Sequence, residues 1–98
     1  MSEEATKKTS SWTFLSNHAH VLLCLAKSDS MRIRDLAVEV GITERAVQRI
    51  LAELIDEGYL EREKDGRRNV YKICNNRPLK HPIEWHKNIE DLVKLIFD

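Results

Sequence analysis

Apolar residues recur at helical spacing along the first half of the chain. The first series falls four, three and four residues apart, at Leu15, Ala19, Leu22 and Ala26. This spacing is that of one face of a helix. A second apolar series begins at Ile33, includes Val40 and stops at Gly41, and glycine is common just past the end of a helix. The pattern therefore predicts two helices separated by a polar break.

A third apolar series follows after a short turn. Ile42 and then Thr43 come directly after Gly41, and threonine is a favourable residue at a helix N-cap. The apolar positions that share one face of the next helix are Val47, Ile50, Leu51, Leu54 and Ile55. Gly58 ends the series. Two short helices joined by so few residues must pack at a steep angle to each other.

The hydrophobic pattern then changes from a helical period to a period of two. Residues 59–63 and 69–74 have the composition of strands. The segment between them contains Asp65 and Gly66, and glycine supplies the positive φ that a tight hairpin turn needs. The sequence therefore predicts a β-hairpin over residues 59–74.

The end of the chain carries one more apolar series with helical spacing. Its members are Trp85, Ile89, Leu92 and Ile96. Pro82 precedes them, and proline is tolerated in the first turn of a helix. We expect a helix over residues 82–98 that presents this series as a seam for a second copy of the chain. The alternative is that the seam packs on the chain's own first helix.

Length and composition limit the architecture. A chain of 98 residues suits a single small domain, which we expect over residues 11–98, preceded by a disordered polar tail over residues 1–10. Glycine and proline together number five, which disfavours a turn-rich all-β fold. The expected fold is α+β and mostly α. Sixteen basic residues balance sixteen acidic residues, so any nucleic-acid partner must be recognised by local charge.

The order helix, turn, helix, hairpin resembles the winged helix-turn-helix. The resemblance rests on Leu36 and Ala37, on the turn at residues 41–43, on Val47 and Ile50, and on the hairpin that follows. In this order of elements the chain is similar to regulators of the MarR and ArsR groups. One departure is that such regulators often cap the first motif helix with Ser, Thr or Asp, whereas Arg32 or Arg34 stands near that point here. The resemblance implies a helix-turn-helix over residues 33–57 with a wing over residues 59–74.

The resemblance implies a homodimeric transcriptional regulator whose second motif helix enters the major groove of double-stranded DNA. Arg45 and Arg49 have planar forks suited to guanine edges, and Gln48 has the donor and acceptor that suit adenine. Thr43 can meet a phosphate. Glu44 could accept a hydrogen bond from cytosine, although a solvated carboxylate that favours the helix dipole is the simpler interpretation.

Local charge supports a DNA partner. Residues 61–72 contain five basic and three acidic residues, a net charge of +2. Within the hairpin, Lys64, Arg67 and Arg68 are expected to contact phosphates or to enter a minor groove. Arg32 and Arg34 are expected to contact the DNA backbone. Their alternative role is that of solvated surface charges.

Other functions have less support. A winged helix that binds only protein is the main alternative to DNA binding. A metal site could use His20 with Cys24, or His81, His86 and Glu90, but zinc needs about four converging ligands. The pair Cys24 and Cys74 lacks features of a redox site. Motifs of catalysis are missing from the sequence, so we expect no enzyme activity, cofactor or metal.

Membrane association is also not expected, because no apolar run approaches the roughly 20 residues that span a bilayer. The first residues lack the apolar stretch of a secretory signal. The expected location is the cytoplasm. Any small-molecule effector stays unidentified.

Overall fold

The computed structural model describes residues 12–98, so the predicted tail at residues 1–10 lies outside the described residues. Three helices, a two-stranded antiparallel hairpin and a final helix follow one another. Their bounds are α1 Asn17–Lys27, α2 Ile33–Val40, α3 Glu44–Asp56, β1 Leu60–Asp65, β2 Arg68–Ile73 and α4 Ile89–Phe97. This is the predicted α+β, mostly α, winged helix-turn-helix.

The first helix starts later than its apolar series. Ser16 is the N-cap of α1, and its Oγ accepts a hydrogen bond from the backbone N–H of Ala19 at 3.2 Å. Leu15 therefore precedes α1 and is half-buried. The buried residues of α1 are Val21, Leu22, Leu23 and Leu25.

The turn between α2 and α3 forms as its residues predict. Gly41 has φ +84°, a left-handed conformation that glycine adopts without steric strain. Its N–H donates to the carbonyl of Ala37 at 2.8 Å. Thr43 caps α3 by accepting the N–H of Ala46 at 3.0 Å. At the start of α2, Arg32 occupies the N-cap position without a capping hydrogen bond from its side chain.

The hairpin lies within the predicted residues 59–74, but its strands run closer to the loop than the sequence pattern predicted. Asp65 pairs with Arg68, so the loop consists of Gly66 and Arg67 alone. Gly66 has φ +69°, which meets the need of a two-residue hairpin loop for a positive φ. The backbone N–H of Tyr71 in β2 also donates to the carbonyl of Asp29 at 3.0 Å. The turn between α1 and α2 thus lies beside β2 and fixes the hairpin relative to the helices.

One hydrophobic core joins the helices and the hairpin. The side chains that are almost fully buried are Val21, Leu25, Leu36, Val47, Ile50 and Leu60. They come from α1, α2, α3 and β1, so each element covers part of the same core. Tyr71 of β2 and Ile89 of α4 complete it. Because the core fixes which face of α3 is buried, it also fixes which face is exposed.

The predicted helix over residues 82–98 is wrong at its beginning. The helix starts at Ile89, where Asn88 and Asp91 form a capping box with hydrogen bonds of 2.9 Å in both directions. Before it, Ile89 N–H donates to the Arg77 carbonyl at 3.0 Å and Leu79 N–H donates to the Lys87 carbonyl at 2.9 Å. These bonds close residues 77–89 into a loop, which the helical pattern at residues 82–88 did not reveal.

The corrected start changes the predicted dimer seam. Trp85 lies in the loop rather than on a helix and is 60% exposed. Ile89 is only 4% exposed and packs in the chain's own core. Ile89 therefore offers little surface to a second copy. Leu92 is half-buried and Ile96 is 46% exposed, so these two, together with the exposed Trp85, still have apolar surface to offer to a second copy.

Candidate nucleic-acid interface

The exposed face of α3 carries the predicted base-contacting residues. Packing of Val47 and Ile50 into the core turns Arg45, Gln48 and Arg49 outward, where all three are exposed. Within residues 12–98 none of these three side chains makes a hydrogen bond or ion pair. Their donors and acceptors are therefore free to meet a ligand.

The first turn of α3 adds two groups of different character. The Thr43 Oγ1 accepts the N–H of Ala46, which leaves its hydroxyl hydrogen able to donate to a phosphate oxygen. Glu44 is exposed in the first turn, where a carboxylate is favoured by the positive end of the helix dipole. The N-terminal end of α3 thus offers donors beside one acid.

Arg32 and Arg34 flank the first residue of α2. Both side chains are exposed and neither has a hydrogen bond or ion pair with another residue in the described part of the chain. Ile33, between them, lines a groove formed by α3 and the hairpin. The two arginines therefore lie beside the border of that groove.

The three predicted wing residues have different surroundings. Arg67 occupies the hairpin loop and Lys64 lies in β1, and both are exposed without an ion pair to any of residues 12–98. Arg68 instead donates from Nη2 to the carbonyl of Ser30 at 2.9 Å. Together with the bond from Tyr71 to Asp29, this contact ties the hairpin to the turn between α1 and α2.

Strand register separates the hairpin charges in a way that the sequence analysis missed. Leu60, Arg62 and Lys64 share one face of β1, opposite Ile73, Tyr71 and Asn69 of β2. The three acids Glu61, Glu63 and Asp65 occupy the other face. The alternation was visible in the sequence, because successive strand residues point to opposite faces, but the register and the buried face were needed to use it.

A groove of about 370 Å³ separates α3 from the hairpin, and we call it the α3–hairpin groove. Its polar lining comes from Gln48 and Asp56 of α3 and from Arg62, Asn69 and Tyr71 of the hairpin. The face of the hairpin that carries Arg62 is therefore the one that looks toward α3. Gln48, a predicted base contact, forms part of the same wall.

Two of the three acids near the end of α3, Glu53 and Glu57, are paired within the chain. Glu53 Oε1 lies 2.7 Å from Nε2 of His18, and Glu57 Oε1 lies 2.6 Å from Nζ of Lys80. The hydrogen bond from Lys80 lowers the pKa of Glu57, and the same bond raises the pKa of Lys80. Nη2 of Arg77 also donates to the Glu57 carbonyl at 3.0 Å. The contact with Lys80 offsets the negative charge of Glu57 at the end of α3.

A larger cavity of about 660 Å³ lies between α1, the end of α3 and the C-terminal residues. Apolar side chains such as Leu22, Leu54 and Leu92 line it, together with the paired Glu57 and Lys80. Arg45, Gln48 and Arg49 are not part of its lining. The cavity is thus separate from the exposed face of α3.

The residues considered for metal or redox chemistry have other surroundings. Nδ1 of His20 bonds Oδ1 of Asn17 at 3.1 Å, and Nδ1 of His81 accepts the N–H of Ile83 at 3.1 Å. Within residues 12–98 no three His, Cys, Asp or Glu side chains are grouped to hold a metal ion. Burial raises the pKa of the Cys24 thiol, and Glu39 adds to the effect while Lys27 opposes it.

None of the helices in the described residues is both long enough and apolar enough to span a bilayer.

The geometry agrees with what comparison with known proteins shows. The family model for the MarR family matches residues 13–68, a stretch of 56 residues that is more than half of the chain. Comparison with curated proteins gave no match. Among solved structures, the chain is similar to the zinc-dependent MarR family transcriptional regulator AdcR in its Zn(II)-bound state, at 28% identity and a TM-score of 0.48.

That similarity covers 67% of this chain and 47% of the regulator, so the match spans about half of the regulator's length. The match to the family model begins before α1, includes the helix-turn-helix and ends at the first residue of β2. Because the family model matches more than half of the chain, the chain belongs to the MarR family of winged-helix transcriptional regulators.

Proposed function

We propose that this chain is a sequence-specific regulator of transcription that binds double-stranded DNA as a homodimer. The observation that carries the proposal is the exposed face of α3, where Arg45, Gln48 and Arg49 have no partner within residues 12–98. A surface with three such side chains at the start of a helix suits a DNA groove, because base edges and phosphates satisfy their donors. Membership in the MarR family supports the same function.

The residues of α3 contact different parts of the DNA, some the base edges and some the phosphates. The major groove is about 12 Å wide and admits a helix. Arg45 and Arg49 donate to guanine O6 and N7, and Gln48 bonds adenine N6 and N7. Thr43 and the N-terminal end of α3 meet a phosphate. Glu44 stays solvated at the helix terminus or accepts from cytosine.

The hairpin and the start of α2 hold the duplex. Arg67 at the hairpin loop and Lys64 beside it contact phosphates or the adjacent minor groove. Arg32 and Arg34 add phosphate contacts beside the groove. The bond from Arg68 to Ser30 favours a different role for Arg68, which is to position the hairpin for these contacts.

The homodimer is proposed to use the exposed apolar face of α4. Leu95 is 75% exposed, Ile96 46% and Phe97 44%, and Leu92 is half-buried beside them. Covering these side chains with a second copy removes apolar surface from water. Trp85 in the preceding loop can add to the contact. Two-fold symmetry then sets two α3 helices one DNA turn apart, at ~34 Å.

The test of DNA binding is selection of genomic fragments by the purified protein, followed by titration of the enriched duplex at several salt concentrations. The expected result is enrichment of a two-fold symmetric site and an affinity that falls steeply with salt, because phosphate contacts release counterions. Absence of enrichment, or binding that ignores ionic strength, would contradict the proposal and favour a module that binds protein.

The test of the dimer is Ile96→Asp. The buried carboxylate is unfavourable in an apolar interface, so sedimentation should show a monomer with its helical circular dichroism intact and a reduced affinity for the selected site. Ile89→Asp is the matched control, because Ile89 is buried in the core of one chain and this variant should unfold. A dimeric Ile96→Asp protein would show that α4 is not the interface.

A further inference from the structure

The two faces of the hairpin carry opposite charge. Arg62 and Lys64 lie on the face of β1 that also holds the buried Leu60, and their partners across the hairpin are Tyr71 and Asn69. No acid of β1 shares that face. The α3-facing side of the hairpin therefore carries two positive charges with no acid of β1 beside them.

The basic face borders the α3–hairpin groove. Arg62 and Asn69 line this groove from the hairpin, and Gln48 lines it from α3. Arg62 is exposed and makes no ion pair or hydrogen bond with the rest of residues 12–98. The rest of the groove is lined largely by the apolar side chains Ile33, Leu51, Ala52 and Ile55. The unpaired guanidinium of Arg62 on its wall is therefore placed to bind an anion.

The shape of a DNA duplex identifies that anion. One sugar-phosphate strand separates a major groove from the neighbouring minor groove. If α3 occupies the major groove and the hairpin loop reaches the minor groove, that strand must cross the gap between α3 and the hairpin. We propose that the α3–hairpin groove binds this strand and that Arg62 holds one of its phosphates, with Asn69 as a second donor. The inference rests on the proposed DNA-binding function.

Asp56 gives the groove an opposing charge. Its carboxylate lines the same groove from the last turn of α3 and lies beyond ion-pair distance of Arg62. A carboxylate there repels a phosphate strand, so it weakens binding without neutralising Arg62. Removal of this charge should therefore strengthen binding, an effect that a partly unfolded variant cannot produce.

The experiment compares Arg62→Gln with Lys72→Gln in titrations of a duplex oligonucleotide across a series of salt concentrations. Lys72 lies one position along the hairpin register from Tyr71, the partner of Arg62, but on the opposite face. Each variant removes one positive charge from the hairpin. We expect Arg62→Gln to flatten the slope of log affinity against log salt by about 0.9, the value for one lost phosphate contact, and Lys72→Gln to change it much less.

Two further variants separate charge from structure. Arg62→Lys keeps the charge and should restore most of the slope, and Asp56→Asn should raise affinity on specific and non-specific duplexes alike. Equal slopes for Arg62→Gln and Lys72→Gln would overturn the inference, as would an Asp56→Asn variant that binds no more tightly. If the unmodified protein binds no duplex, the proposed function itself fails, which is a different outcome from these.

Discussion

Two regions of the chain differ in how much of their apolar surface is buried. We call residues 17–73 the winged motif and residues 74–98 the C-terminal segment. Of the fourteen buried hydrophobic residues among residues 12–98, thirteen belong to the winged motif and only Ile89 to the C-terminal segment. Conversely, α4 leaves Leu95, Ile96 and Phe97 exposed. The winged motif thus buries most of its large apolar side chains, whereas the C-terminal segment leaves most of its own exposed.

Specific polar contacts attach the C-terminal segment to the end of α3. The hydroxyl of Tyr59 donates to the Pro78 carbonyl at 2.6 Å, and the Arg77 guanidinium lies 5.5 Å from the centre of the Tyr59 ring. Lys80 pairs with Glu57 nearby. The winged motif is therefore determined by the periodic spacing of its buried apolar residues. The path of the chain after the hairpin is determined by local hydrogen bonds.

The largest expected effect is on the core of the winged motif. Leu36 is fully buried in α2, so Leu36→Ala should lower the free energy of unfolding by about 2–5 kcal/mol through lost burial and a residual cavity. Val38 is 77% exposed on the same helix, and Val38→Ala should change stability by less than about 0.5 kcal/mol. Urea unfolding measures both. Similar values for the two variants would contradict the assignment of the core.

The second largest effect is expected on the affinity for DNA, and it shows which of the two regions recognises the bases. Arg45→Ala should weaken binding to the selected site by about 1–3 kcal/mol while sparing non-specific duplexes. Arg77→Ala removes an arginine of the C-terminal segment that contacts Glu57 and Tyr59, and it should leave base preference unchanged. Competition titrations with point-substituted duplexes measure both. A changed base preference in Arg77→Ala, with none in Arg45→Ala, would reverse the roles of the two regions.

The third effect concerns the turn between α2 and α3. Gly41→Ala forces a side chain into φ +84°, which should lower the free energy of unfolding by about 1–2 kcal/mol. Apart from the two neighbours of Gly41 in the chain, no heavy atom of the described residues lies within 4 Å of the added Cβ, so the variant tests backbone strain alone. Glu39→Ala, an exposed change in the preceding turn, is the control and should be nearly neutral in thermal melting. A neutral Gly41→Ala would show that the turn tolerates ordinary residues.

The smallest effect is the pH dependence of the contact between the two regions. The pKa of Glu57 is lowered by Lys80, so its contribution to stability is present above the unfolded pKa of about 4.3 and is lost as the pH falls through the lower folded value. The pKa of Lys80 is raised, so its contribution is present below about 10.4 and is lost as the pH rises through the higher folded value.

Lys80→Gln removes both contributions. The melting temperature of the variant should be slightly lower than that of the unmodified protein between about pH 5 and 9, and the two should converge as the pH falls below the lowered pKa of Glu57. The difference should be small because both side chains are solvent-exposed, and salt should reduce it. A difference that persists at low pH would show that the pair does not cause it.

Much of the winged motif was predictable because apolar spacing, Gly41 and Thr43 all favour the same structure. The C-terminal segment was predicted less well because Trp85 has helical spacing relative to Ile89 without being in the helix. Asn88 followed three residues later by Asp91 was the sequence signal for the true helix start, since this pattern allows a capping box. The bond from Arg68 to Ser30 joins residues far apart in sequence, so no local pattern could reveal it.

The most direct test of the DNA-binding surface is the amide chemical-shift change of isotope-labelled protein when the selected duplex is added. We expect the largest changes at residues 43–49 of the N-cap and first turns of α3 and at residues 62–69 of the hairpin, with small changes at residues 77–88. Changes concentrated at residues 77–88, with residues 43–49 unaffected, would contradict this expectation.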